Sequence, residues 1–234
     1  MAIQAVVVAG GRGERMRPVS ETPKVMLPLG GKPILEHQID WLKRSGFDVV
    51  IFCLGHGAEA VRQYFGDGSK WGMRFDYQIE AIPRGTAGAV ADLGPKVKKD
   101  LLVVYGDLYI NMDAAKLIEF HDGHNASATI VVRHTDHPQD SDIVDAARDG
   151  KIRAIGRLKD GKVKGDLGCA AVWVVRPRLL KRVPKERPSD FAKDIFPAAL
   201  ADGEELRAYR TDERVIDVGT PERYEAFSRS FTSA

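Results

Sequence analysis

The sequence is poor in cysteine, with only Cys53 and Cys169. Two thiols cannot build a disulfide framework, and without a CxxC spacing they supply no zinc-finger ligand set. Cys53 lies inside the apolar run Val49-Val50-Ile51-Phe52-Cys53-Leu54 and reads as a buried thiol. Long hydrophobic runs are missing too. No stretch is long enough to cross a bilayer, and Met1-Ala2-Ile3-Gln4 has no basic segment of the kind that opens a secretory signal, so a reducing cytoplasm is the expected location and no membrane partner is expected. Net charge is almost absent: 35 Lys and Arg face 33 Asp and Glu, leaving +2. That balance gives no case for a nucleic-acid coat or a membrane-surface protein, so any handling of anions must rest on locally concentrated positive charge. No Ser/Gly-rich linker and no repeat divides the chain. What is present is 234 residues, 44% hydrophobic and 29% charged, which excludes disordered and fibrous classes and suffices for a substantial core.

Apolar runs of strand length alternate with segments of helical period. Ile3 to Ala9 is a β-branched run ending at Gly10-Gly11, and Ile34, Leu35, Ile39 and Leu42 fall on one helical face that Gly46 is placed to end. Val49 to Leu54 predicts a second strand, and Ala58, Val61 and Phe65 a second helix. Phe75 to Ile79 and Leu101 to Tyr105 predict further strands, the latter running into Gly106-Asp107. Asp113 is placed to cap a helix carrying Leu117, Ile118 and His121, before a strand from Ala128 to Val132. Near-continuous apolar strands alternating with helices imply a mostly parallel sheet covered on both faces. After about residue 138 the pattern loosens. Asp149-Gly150 and Asp160-Gly161 read as hairpin turns, Ala170 to Val175, Arg207 to Arg210 and Val215 to Val218 as strands, and Thr220-Pro221-Glu222 as the start of a closing helix. The expected fold is α/β, Rossmann-like and doubly wound, one domain over residues 1–234 with a small antiparallel insertion in its second half.

The densest chemical signal is Ala9-Gly10-Gly11-Arg12-Gly13-Glu14-Arg15-Met16-Arg17-Pro18, directly after the first strand. Its glycines let backbone N–H groups approach phosphate oxygens, and Arg12, Arg15, Arg17 and Lys24 concentrate positive charge beside them. The dinucleotide fingerprint fails here, because Met16 stands where its third small residue belongs; a P-loop fails at Gly31-Lys32-Pro33. Asp107 and Asp217 both follow apolar strand runs, at the sheet edge where open α/β sheets bind ligands. Were they to converge, they could hold Mg²⁺ together with substrate phosphates; each taken alone is equally well a strand-end cap or an ion-pair partner.

Gly10-Gly11-x-Gly13-x-Arg15-Met16-x-Pro18 followed by Pro23-Lys24 resembles the signature of the sugar-1-phosphate nucleotidyltransferases. Gly55-His56, Pro83-Arg84-Gly85-Thr86-Ala87-Gly88, Gly106-Asp107 and Asp217-Val218-Gly219-Thr220-Pro221 follow in the family's order, so the resemblance spans almost the whole chain. His134 to Val144 is most similar to the branch that transfers guanylyl groups to mannose or heptose 1-phosphate. The resemblance implies a cytoplasmic enzyme that takes a nucleoside triphosphate, GTP by this branch, and a sugar 1-phosphate, with Mg²⁺ on Asp107 and Asp217, and releases pyrophosphate. Residues 1–137 would form the nucleotide-binding half and 138–234 the sugar-phosphate half. Arg15 and the loop from Ala9 through Gly10, Gly11, Arg12 and Gly13 would hold the β- and γ-phosphates, and Lys24 the α-phosphate or sugar phosphate. Gly85, Thr86 and Ala87 would lie against the base, and Glu80 and Asp107 would contact substrate. The family's sugar-phosphate lysine falls nearest Lys159, with Arg157 as a substitute, and its sugar-contacting Asn falls on Cys169 in Cys169-Ala170-Ala171-Val172-Trp173. Arg84 replaces a leucine and either contacts phosphate or points to solvent. Relatives acting on glucose 1-phosphate with UTP or dTTP form the nearest alternative. A glycosyltransferase using Asp140-Ser141-Asp142 leaves the glycine loop unexplained, and a nucleotide-sugar sensor leaves the retained acids unexplained. His121, His124, His134 and His137 read as packing or surface residues, the three tryptophans as core, and a homo-oligomer is left open.

Overall fold

The computed structural model describes residues 3–13, 16 and 22–231. Arg15, Arg17 and Pro18 of the signature loop lie outside the described residues.

Strand β1 (Ile3–Ala9) is the β-branched run read from the sequence. A two-residue ribbon, β2 (Pro28–Leu29) and β3 (Lys32–Pro33), turns through Gly30-Gly31 into helix α1 (Ile34–Arg44), whose buried stripe includes Ile34, Leu35, Ile39 and Leu42. Then come β4 (Val49–Leu54), α2 (Ala58–Phe65), β5 (Arg74–Ile79), the short α3 (Gly85–Ala91) and β6 (Asp100–Tyr105). A further strand, β7 (Leu108–Asn111), precedes α4 (Ala114–Asp122), which Asp113 caps by accepting the N–H of Ala115 at 2.9 Å. The second half contributes β8 (Ala128–His134), β9 (Ile143–Ala146), β10 (Ile152–Gly156), β11 (Leu167–Val175), α5 (Pro177–Leu180) and α6 (Phe196–Ala201). It closes with β12 (Leu206–Arg210), β13 (Arg214–Asp217) and α7 (Pro221–Ser230).

β5, β4, β1 and β6 lie side by side and parallel, and β11 joins β6 antiparallel. Beyond β11 runs β8, with β12 parallel to it, while the β9–β10 hairpin attaches to β11 through β9. The expected α/β architecture with a mostly parallel central sheet is therefore observed, and its antiparallel strands come from the second half. Both faces are covered, which explains the unbroken apolar runs. Consecutive side chains point to opposite faces, so Val7 enters the core under α1, α2 and α4, while Val6 enters the core shared with α3 and α6. Trp41 and Trp173 are buried as expected. Asp149-Gly150 is the β9–β10 turn, whereas Asp160-Gly161 closes a single 3₁₀ turn over Leu158–Asp160 with Gly161 at φ 68°. An Asp-Gly pair supplies positive φ in either setting, and only strand pairing separates them.

Two strands depart from the regular pairing of the large sheet. β13 stays outside it and pairs antiparallel with β7, placing Asp217 opposite Leu108. β11 belongs to it but shifts register between Cys169 and Trp173, where Ala171 has φ 55°. A Cβ is disfavoured in that left-handed region. Ala171→Gly should therefore stabilise the protein by about 0.5–1 kcal/mol, the relief of backbone strain being partly offset by a looser unfolded chain. A denaturation midpoint that rises at unchanged m-value checks this; an unchanged or lower midpoint contradicts it.

Candidate functional site

The first loop leaves β1 between the ends of β4 and β6, and glycine is required there because three backbones meet. A methyl group on Gly55 would lie 2.7 Å from the Gly10 carbonyl oxygen, and one on Gly106 would lie 2.8 Å from the Ala9 Cβ. Gly13 has φ 60°, which carries the chain back toward Lys24. Below the loop a cavity of about 130 Å³ brings together six of the residues singled out from sequence: Ala9, Gly10, Gly11, Lys24, Thr86 and Asp107. His56 and Tyr105 also line it. A larger cavity of about 300 Å³, between α1, β7 and Phe231, shares none of these motifs.

Lys24 and Asp107 form an ion pair on the cavity wall, with their side chains 18% and 19% exposed. Asp217 arrives from the other direction on the β7–β13 ribbon, which is locked to the strand end by the Val218 N–H donating to the Asp107 carbonyl at 3.1 Å. The three charged groups converge on Gly219. A methyl group there would lie 2.7 Å from Oδ2 of Asp107, 2.7 Å from Oδ1 of Asp217 and 3.3 Å from Nζ of Lys24. The missing side chain thus leaves a cradle between two carboxylates and an ammonium. Among the described residues no three or more His, Cys, Asp or Glu side chains are grouped so as to hold a metal ion by themselves. Two carboxylates fit Mg²⁺ well, since that ion is typically held by one or two carboxylates while substrate phosphates and water complete its shell.

The strand end carrying Asp107 is gripped from behind. Gln38 of α1, fully buried, donates to the carbonyls of Tyr105 and Leu108 at 2.7 Å each, and the indole of Trp41 donates to the Met112 carbonyl at 2.7 Å. Asp217 is held in turn by the Gly219 N–H at 2.6 Å on Oδ1 and by Arg223 on Oδ2. Sequence reasoning passes over both Gln38 and Arg223. A glutamine on an otherwise apolar helix face is the available signal for the first; for the second only the three-dimensional pairing supplies one.

Glu80 stands over the loop, and a methyl group on Gly10 would lie 2.7 Å from its Oε2. Its Oε1 accepts the Arg84 N–H at 3.0 Å, and desolvation raises its pKa from the usual carboxylate value, a rise that this hydrogen bond opposes. At Gly85, Thr86 and Ala87 the start of α3 is already engaged by the chain itself. The Thr86 hydroxyl donates to Asp190 at 3.0 Å, and the Ala87 N–H donates to the Ser189 carbonyl at 2.9 Å. What Thr86 presents to the cavity is its side-chain face, beside the half-buried Tyr105, whose phenol is held protonated far above its ordinary range by desolvation. Arg84 neither reaches the cavity nor points to solvent. It binds the carbonyls of Pro184 and Arg187 at 3.0 and 3.1 Å and pairs with Asp92, tying the 184–190 segment to α3.

Lys159 is exposed on the 3₁₀ turn, while Arg157 pairs with Asp142 at 2.7 Å beside Cys169, whose N–H donates to the Asp142 carbonyl at 2.8 Å. Burial raises the Cys169 thiol pKa far above its ordinary value, as it raises Cys53 to about 12, so both stay protonated at neutral pH. Asp142 is thereby committed to an arginine, and Ser141 caps the local turn by donating to the His137 carbonyl at 2.9 Å. His121 is a packing residue, its Nδ1 sharing a 2.8 Å hydrogen bond with Thr129; burial lowers its pKa. Among the described residues no helix is long and apolar enough to cross a membrane.

The model of a family described as nucleotidyl transferase matches residues 4–233. The chain is 30% identical over 225 residues to a mannose-1-phosphate guanylyltransferase of Mycobacterium tuberculosis, covering 95% of this chain and 62% of that protein. It is 25% identical to a UTP–glucose-1-phosphate uridylyltransferase of Synechocystis, again covering 62% of the relative and 96% of this chain. The chain thus spans somewhat less than two thirds of the curated relatives it matches. Among solved structures, HddC of Yersinia pseudotuberculosis complexed with GMP-PN superimposes with a TM-score of 0.82 at 24% identity, covering 98% of this chain and all of that one. A putative glucose-1-phosphate thymidylyltransferase of Bacillus anthracis superimposes with a TM-score of 0.85 at 21% identity, covering 99% of this chain and 97% of that one. At these identities both show the shared fold.

Proposed function

The chain belongs to the nucleotidyl transferase family, and on that basis we propose that it transfers a guanylyl group from GTP to mannose or heptose 1-phosphate, releasing pyrophosphate. The observation that carries this reading is the convergence of Lys24, Asp107 and Asp217 on Gly219, beside the glycine loop. The relatives' names support the choice of base and sugar. A uridylyl or thymidylyl transfer to glucose 1-phosphate is the second reading, favoured by the similarity to the uridylyltransferase.

The reaction joins a sugar-phosphate oxygen to the α-phosphorus and breaks the bond to the β-phosphate. A phosphate monoester has a second pKa of about 6, so the nucleophile is already ionised at neutral pH and the protein need not supply a base. The task is to bring two anions together in line and to neutralise the charge that develops. Lys24, paired with Asp107, would turn from it to the α-phosphate or sugar phosphate. The backbone of Ala9, Gly10, Gly11, Arg12 and Gly13 would cradle the leaving phosphates with Arg15. Thr86 and its neighbours Gly85 and Ala87 would bound the base, with Glu80 over the loop. Lys159, or Arg157 anchored on Asp142, would take the sugar phosphate. Asp107 and Asp217 would hold Mg²⁺, which supplies charge neutralisation on the phosphates when bound.

A panel of triphosphates and sugar 1-phosphates, read by pyrophosphate release, tests the proposal. Release is expected only when both substrates are present and fastest with GTP and a mannose-type sugar phosphate. Fastest release with UTP or dTTP and glucose 1-phosphate would establish the second reading; no release with any pair would reject both.

A further inference from the structure

We propose that Arg223 is a phosphate-binding residue of this site, parked on Asp217 and in competition with a divalent cation for that carboxylate. The inference rests on the reading of Asp217 as a metal ligand.

Arg223 lies beyond the sequence motifs, the last of which ends at Pro221. Thr220 caps α7 and accepts the Arg223 N–H at 3.4 Å, so Arg223 occupies the third position of that helix. This is where Glu or Gln would close a capping box with Thr220, and where the positive end of the helix dipole disfavours a cation. Local structure gives no reason for an arginine here. Its side chain instead turns back to the end of β13, where Nη1 donates to Oδ2 of Asp217.

The site is symmetrical in charge. Asp107 is matched by Lys24 and Asp217 by Arg223, so each carboxylate of the cradle already has one cation. A divalent cation adds two positive charges to a neutral set, and the substrates bring the phosphates that would balance them. A guanidinium presents its donors as a planar fork suited to phosphate oxygens, and only one Arg223 donor is committed to Asp217. The Arg223 side chain is 30% exposed, so it can turn toward a phosphate without leaving a buried partner unpaired. The competing account is a staple that ties α7 to β13. An ion pair this exposed contributes little to stability, and that difference separates the two.

Arg223→Gln is the informative variant, because glutamine restores the capping box and the helix should keep its melting temperature. Mn²⁺ binding to the enzyme without substrates should tighten about three- to fivefold, since a competitor worth no more than a surface ion pair has been removed. In steady state, kcat/KM for one phosphate substrate should fall roughly ten- to a hundredfold, the loss of one charge-assisted contact. Varying triphosphate and sugar 1-phosphate separately identifies which one Arg223 meets, and Arg223→Lys should recover part of the loss. Unchanged or weaker Mn²⁺ binding in Arg223→Gln, or both kcat/KM values within twofold of wild type, overturns the proposal. A loss of activity that merely follows a lowered melting temperature also overturns it, by marking Arg223 as a staple. Asp217→Asn is measured alongside: if it binds Mn²⁺ as tightly as the wild type, the metal reading of Asp217 has failed, separately from the role of Arg223.

Discussion

Asp217→Asn should lower turnover by about a thousandfold or more while leaving the melting temperature nearly unchanged. The asparagine oxygen can still accept the Gly219 N–H, so the turn survives. The pair with Arg223 is half-exposed on the Asp217 side and contributes little to folding. What disappears is one of the two charges facing the cradle. Charge stabilisation by a metal is worth several kcal/mol, and about 1.4 kcal/mol corresponds to a tenfold change in rate. Asp107→Asn should show a loss of similar size, and the double variant should be little worse than either single one, because groups that act as a unit are not additive. Pyrophosphate release at saturating substrates, set beside thermal melts, makes the measurement. Turnover at the wild-type rate in either single variant would remove the acids from the chemistry.

Gly85→Ala should cost about 3 kcal/mol, from roughly 1 kcal/mol of left-handed backbone strain and about 2 kcal/mol of overpacking. Gly85 has φ 73°, and a methyl group there would lie 2.6, 2.8 and 2.9 Å from the carbonyl oxygen, carbonyl carbon and nitrogen of Ser189. That backbone cannot step aside cheaply, since its carbonyl accepts from Ala87 and Gly88 and its N–H donates to Arg84. For a chain of this size the loss corresponds to a fall of roughly 6–12 °C in melting temperature. Gly161→Ala is the control: Gly161 has φ 68° and open space around it, so only the backbone strain applies. Equal losses in the two variants would show that the contact with Ser189 carries no cost.

Much of the fold is legible because burial on both faces of a parallel sheet leaves a strong local pattern. β1, β4 and α2 have the bounds that apolar periodicity implies, and Asp113 and Thr220 cap the helices whose starts they mark. The glycine loop is legible for a related reason: glycine recurs where backbones touch, and Gly10, Gly55 and Gly106 prove to be those positions. Other features have no local signature. Asp160-Gly161 has the composition of a hairpin turn but lacks the paired strands, and Arg84 has the composition of a solvated or phosphate-binding residue but ties down the 184–190 segment. Thr86 and Ala87 read as ligand-facing, yet their backbone donors meet Asp190 and Ser189, more than a hundred residues away.

The alternation of strands and helices, the glycine loop after β1, Lys24 shortly beyond that loop, and Asp107 and Asp217 at strand ends are all readable in the chain before it folds. Apolar period and glycine spacing report local burial and local backbone crowding, and both are properties of short stretches. Three further facts exist only in the folded molecule: Asp217 meets Asp107, Gly219 leaves room between them, and each acid already carries its own cation in Lys24 and Arg223. The β7–β13 pairing that brings the acids together joins segments about a hundred residues apart. Its register is set by packing summed over the whole core, which no short stretch of sequence contains.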